Sequence, residues 1–244
     1  MQNKIPIPGF SSLILVLVLF PMTAPQSSSE DAPGSSEPEG TETITPDWPK
    51  PMWEGHPLSP EFPNMEKLGE PRLSFTVPAG SSNLAAGKPV TSSDPFPIIG
   101  EPKMLTDGVI NSRDGVIELA FRKQWIQIDL KAEANIHAIV VWRYYAEARV
   151  YKDVVIQVSN DPEFKEGVTT VFNNDDDGSS GFGKGKDPTY FETNYGRIID
   201  VDGIKGRYVR FYSNGNTEND SNHYIEAQVW GTPAAKKTGK LLKI

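Results

Sequence analysis

The chain has 244 residues, of which 37% are hydrophobic and 23% charged, with 21 prolines, 21 glycines and no cysteine. The missing thiols exclude a disulfide scaffold, a cysteine nucleophile, thiolate-bound zinc, an iron–sulfur cluster and a lipid-modified N-terminal cysteine. A net charge of −8 makes the chain a poor candidate for sequence-independent nucleic-acid binding, which needs Lys and Arg to displace counterions from phosphate.

Residues 1–24 read as an export signal. Lys4 is the only charged side chain before Glu30, and Phe10 to Phe20 form an apolar run of eleven residues. That run has the length of a signal-peptide core and is too short for a bilayer-spanning helix of about 20 residues. An uncleaved anchor or a buried strand is the alternative. The expected location is therefore secreted, periplasmic or at the cell surface.

Residues 25–78 read as a linker and strap. They hold eleven of the 21 prolines, and ten acids against three bases. From Ser27 to Thr45 almost nothing is apolar, so the segment cannot offset the entropy of ordering and reads as an extended spacer. Trp48, Met52, Trp53, Phe62, Met65, Leu68, Leu73, Phe75 and Val77 can pack, and predict an irregular strap lying on the folded body.

From residue 79 to 232 the pattern turns to period two. Trp125-Ile-Gln-Ile-Asp-Leu130 alternates, and Ile136 to Trp142 is a continuous β-branched run. Val154–Val158, Val168–Phe172, Arg197–Val201, Arg207–Tyr212 and His223–Trp230 follow as strand signals, separated by Gly, Asn, Asp and Pro clusters. Seven or eight such strands predict an all-β sandwich, with a jelly roll as one arrangement. Residues 233–244, with Lys236, Lys237, Lys240 and Lys243, read as a basic, frayed tail.

The order of pieces within this region resembles the discoidin, or coagulation-factor type C, family, whose fold is the galactose-binding-like jelly roll. The matching pieces are Asn83 to Ser93, Leu105-Thr-Asp-Gly108, Gln124 to Leu130, Ile136 to Val141, Val155 to Asp161, Gly206 to Phe211 and Ile225 to Gly231. Each piece is weak alone, but seven in order cover the folded part. Two loops, Arg113 to Lys123 and Asn173 to Asp187, are longer than the family's. Without cysteine, the chain is closest in character to bacterial family 32 carbohydrate-binding modules.

The resemblance implies a structural Ca²⁺. It would be held by Asp107, Ser112 and Glu226, with backbone oxygens near Lys103 and Ile110. A hard cation of this kind takes six to eight oxygens, which an Asp-Gly turn and a late Glu can share. The alternative is a turn-forming Asp-Gly and a Glu that hydrogen-bonds across the loop. A second acidic stretch, Asn173 to Gly178, opens like an EF-hand loop, but Lys184 stands where a bidentate Glu is needed; it reads as a flexible acidic loop.

Similar modules bind sugars on loops beside the ion. An aromatic plane meets the apolar face of the sugar, and charged or amide groups meet its hydroxyls. The loops after Trp142 and before the last strand offer Tyr145, Arg149, Tyr151, Asn216, Asn222 and His223 as ligand contacts. In the alternative, Tyr144 or Tyr145 faces the core, Arg149 pairs with Glu147 or Asp153, and the Asn residues turn the chain.

No Gly-x-Ser-x-Gly elbow or His-Glu-x-x-His motif is present, and no catalysis is expected. The function expected is a secreted, non-catalytic, lectin-like carbohydrate-binding module with a structural calcium ion and a glycan or polysaccharide partner. The alternative is a protein-interaction or adhesion domain of an extracellular or cell-surface assembly. Membrane-lipid binding needs apolar spikes over a basic floor; the loops are acidic, so it is not expected.

Overall fold

The computed structural model describes residues 40–55, 57, 62–111 and 113–234. The expected export signal, most of the spacer, Ser112 and the lysines of the tail lie outside the described residues.

Alternating β-branched and aromatic residues give eleven strands among the described residues. They are β1 (Thr41–Ile44), β2 (Phe75–Pro78), β3 (Ser82–Asn83), β4 (Val90–Ser92), β5 (Ile117–Leu119), β6 (Lys123–Trp142), β7 (Val155–Ser159), β8 (Thr169–Asn173), β9 (Arg197–Asn214), β10 (Asn222–Tyr224) and β11 (Glu226–Pro233), with a 3-10 helix at Pro102–Thr106. The architecture is the expected all-β jelly-roll sandwich. The main sheet runs β3-β11-β6-β9-β7-β8, with β4 also paired to β6, and two ribbons, β1-β2 and β10-β5, stand apart from it. All strand pairs are antiparallel.

Several expected strands merge. Trp125–Leu130 and Ile136–Trp142 are two halves of β6, and Arg197–Val201 and Arg207–Tyr212 are two halves of β9. The β6–β9 register breaks between Asp129 and Ala134, where Lys131 takes a φ of 72°. The intervening Lys131, Ala132 and Glu133 are exposed, so the chain bends there without leaving the sheet. Arg207 clamps the bend with a bidentate pair to Asp129, at 2.7 and 3.0 Å. Conversely, His223–Trp230 divides into β10 and β11, which lie in different sheets. The stretch Arg113 to Lys123, read as a loop, contains β5.

The main core collects Ile126, Ile128, Ile136, Ile139, Val141, Ile156, Val209, Phe211 and Val229 between the layers. A second cluster forms on the opposite face of β6, where Ala138, Val140 and Trp142 meet Phe75, Val77, Tyr145 and Ile225. The second half of β6 is thus buried on both faces, which is why Ile136 to Trp142 is continuously apolar rather than alternating. Part of that cover is the strap. Trp48 packs with its ring centroid 5.8 Å from that of Trp142, and Ile44 and Met52 join the cluster.

Candidate functional site

The site is built where β5 pairs with β10. His223 lies opposite Glu118, and Leu119 and Tyr224 on either side turn into the core. Alternation therefore points Glu118 and His223 together away from the core, where the loop after β6 leaves His223 buried. His223 Nε2 stands 3.7 Å from the Glu118 carboxylate. On the outer edge Ile99 pairs with Glu118, extending the row by one residue.

The loop after β6 closes on this row. Tyr144 sets its ring 5.6 Å from that of His223, and Tyr151 meets the imidazole edge-on at 6.0 Å. The Arg149 guanidinium lies 4.5 Å over the Tyr144 ring and pairs with Glu147. Burial, reinforced by the charges of Arg149 and Arg143, lowers the His223 pKa to about 4. His223 is therefore neutral at pH 7, with one ring nitrogen donating and the other accepting. The result is a cationic and aromatic floor flanked by two carboxylates, Glu118 and Glu147.

Arg149, Tyr151 and His223, expected as ligand contacts, are brought together here. Tyr145, Asn216 and Asn222 are not. Tyr145 is buried beneath the loop, and its hydroxyl donates to the Ile110 carbonyl at 2.7 Å. Asn216 Nδ2 donates to Asn219 and to the Ser221 carbonyl, folding the turn before β10. Asn222 donates to the carbonyls of Ala120 and Arg122 and accepts from Ser213 and Gly215. These three side chains spend their polar groups on the fold, as the alternative reading of these loops holds. Glu118 carries no signal in the sequence, because β5 is three residues within a stretch that reads as loop, and Tyr144 reads there only as core.

Of the residues expected around Ca²⁺, Asp107 and Glu226 lie near each other. Asp107 follows the 3-10 helix, and Glu226 opens β11 with its carboxylate accepting from the Gly108 amide at 3.1 Å. Burial, with Asp107 facing it, pushes the Glu226 pKa up to about 8. No cationic side chain pairs with either carboxylate among the described residues. A buried carboxylate with an exposed one beside it, neither paired with a cation, is a donor set that fits a hard cation. Lys103 turns its ammonium to Glu101 at 2.8 Å, so only its carbonyl can serve. The Ile110 carbonyl is shared with Tyr145. Ser112 lies outside the described residues.

The acidic loop Asn173–Gly178 is tightly built. Asp175 is buried and accepts from the amides of Gly178 and Ser180, at 2.8 and 2.9 Å. Its carboxylate converges with those of Asp153 and Asp177, and this helps raise the pKa of Asp153, though burial contributes more.

Residues 100–227 match the family model of the F5/8 type C domain. The chain belongs to this family. No curated protein matches it. Solved structures similar to this F5/8 type C chain include the CBM32 of AlyQ in complex with 4,5-unsaturated mannuronic acid. That pair has 20% identity and a TM-score of 0.44, covering 58% of this chain and 92% of the other. Another is chitosan-binding module 1 from a chitosanase/glucanase of Paenibacillus sp. IK-5, with 22% identity, 62% and 99% coverage and a TM-score of 0.46. A third is the Streptococcus pneumoniae fucose binding module SpX-3, with 16% identity, 61% and 96% coverage and a TM-score of 0.45. The strap and β1 to β4 lie before the F5/8 type C match. Among the described residues no helix is long and apolar enough to cross a membrane.

Proposed function

We propose that this F5/8 type C domain is a secreted, non-catalytic, lectin-like module that binds a glycan on the rim formed by Tyr144, Arg149, Glu118 and His223. The observation that carries this reading is the Arg149 guanidinium stacked on Tyr144 beside a neutral His223. A sugar offers an apolar C–H face and a ring of hydroxyls that donate and accept. Tyr144 supplies the apolar plane, Arg149 the donors, Glu118 and Glu147 the acceptors, and neutral imidazole one of each.

A calcium ion held by the carboxylates of Asp107 and Glu226, with oxygens of Lys103, Ile110 and Ser112, would neutralise the buried Glu226 and stiffen the loop. Its effect reaches the rim through Ile110, whose carbonyl anchors Tyr145 next to Tyr144. The test is a glycan array followed by calorimetry. Tyr144→Ala and Arg149→Ala should each weaken the best ligand about tenfold or more. Absence of any glycan signal from the intact chain rejects the reading.

A second reading, a protein-interaction or adhesion surface, rests on a different feature. Phe96 is 86% exposed and Phe121 59%, with Ile98 and Ile99 beside them. Asp94 fixes this ridge by accepting from the amides of Phe96 and Ala120. Glycosidase-resistant capture of a defined protein, lost on Phe96→Asp with Phe121→Asp, would favour it.

A further inference from the structure

The strap does more than cover β6. It is pinned to the domain at separate places, with a cavity beside them. At one pin Trp48 packs on Trp142 and Tyr195, and Asn194 Nδ2 donates to the Pro49 carbonyl at 2.8 Å. At the other, Asn64 Nδ2 donates to the carbonyls of Asn174 and Asp187, and Glu66 binds Arg197 through two contacts of 2.8 and 2.9 Å. Arg72 adds a bidentate pair to Asp200. The cavity, of ≈ 610 Å³, is bounded by strap residues 51–55 and 66–72 and by residues 190–198. That volume is within the range of small-molecule sites.

The chemistry of the walls narrows the ligand. Trp53 and Phe191 meet edge-to-face at 6.3 Å, and Tyr195 adds a third aromatic wall. The Arg197 guanidinium lies 4.6 Å over the Tyr190 ring. Its Nη1 is taken by Glu66, and no hydrogen bond engages Nη2 among the described residues. The lining carries three acids (Glu54, Glu66, Glu70) and three bases (Lys67, Arg72, Arg197), and Arg72 is already clasped by Asp200. There is thus no surplus of positive charge to hold a phosphate or a uronate. Aromatic faces with a fixed Arg–Glu pair suit a neutral ring bearing hydroxyls.

We propose that the strap and residues 190–198 form a second glycan site, for neutral sugar rings, separate from the rim. None of its lining residues belongs to the rim cluster, and most of its wall comes from strap residues that precede the F5/8 type C match.

The experiment is an NMR titration of the isotope-labelled full chain with chitotriose, cellotriose and maltotriose as neutral probes and trimannuronate as the acidic control. At least one neutral probe should shift amides in residues 51–55 and 190–198. Trp53→Ala and Arg197→Lys should weaken that response fivefold or more, with the amide spectrum otherwise native; Arg149→Ala should leave it unchanged. The inference is overturned if none of the neutral probes moves these amides, or if trimannuronate moves them equally. Shifts confined to residues 144–151 would support the rim and overturn the second site. If Trp53→Ala perturbs the fold, Arg197→Lys carries the test, and a native-folded variant with undiminished binding overturns it.

Discussion

Arg143 Nε stands 3.8 Å from Glu192 Oε1, and neither side chain reaches solvent. The guanidinium is sandwiched by Tyr224 at 4.4 Å and Tyr151 at 5.0 Å, and donates to Ser213 Oγ and the Tyr212 carbonyl. Burial pushes the Glu192 pKa up to about 7 against the pull of Arg143. This pair sits directly beneath the loop that carries Tyr144 and Arg149. Removing one partner strands a buried charge. Glu192→Ala should therefore cost about 3–5 kcal/mol in denaturant unfolding, and Glu192→Gln markedly less. A loss near zero for the alanine variant would mean that the pair does not hold the loop.

His223 gives the domain an acid-sensitive term. Its folded pKa, about 4, lies below the ordinary 6.5. The unfolded chain therefore binds more protons between these values, and stability falls as pH drops from about 6.5 toward 4. The full shift corresponds to about 3 kcal/mol. Thermal melts across pH 4–7 should show this slope in the native chain and a shallower one in His223→Gln.

The strap should contribute to stability even though its sequence looks like linker. Trp48 touches Trp142 and Tyr195, and its Nε1 donates to the Leu73 carbonyl at 3.2 Å. Trp48→Ala uncovers the outer face of β6 and should cost roughly 2 kcal/mol, less than a fully buried Trp because the residue is only partly buried. Urea unfolding reads this directly; an unchanged midpoint would make the strap dispensable.

What could be read from sequence follows from how local each signal is. Trp125 to Leu130 alternates because one face meets the core while Trp125, Gln127 and Asp129 on the other meet Arg210 and Arg207, so its strand is plain. Ile136 to Trp142 was plain as a strand, but its covering partner was not. Trp48, Phe75 and Val77 lie 59 or more residues earlier in the chain, and nothing local marks them as its lid. Glu118 was invisible because a three-residue strand carries too little alternation. Tyr145, Asn216 and Asn222 had the residue types of a sugar site, but the same groups satisfy buried carbonyls and amides, and type alone does not separate the two uses. Asp107 and Glu226 converge as the family pattern implies; that they hold an ion is the proposal.

Calcium gives a direct check of that proposal. Saturating Ca²⁺ at about 100 times its Kd should stabilise the fold by about 2.7 kcal/mol, and chelation should reverse it. Asp107→Asn with Glu226→Gln should abolish the response in calorimetry. Tyr145→Phe should keep the calcium-dependent melt but weaken its effect on glycan affinity, since the link through Ile110 is cut. A melting temperature indifferent to calcium and chelator contradicts the site.

The central claim is that the rim beside β5 and β10 grips a sugar. The most direct measurement is a crystal structure of the chain with the strongest ligand from the glycan array. A sugar ring should lie against Tyr144, with hydroxyls on Arg149, His223 and Glu118. A ligand seated elsewhere, with this rim solvated, would contradict it.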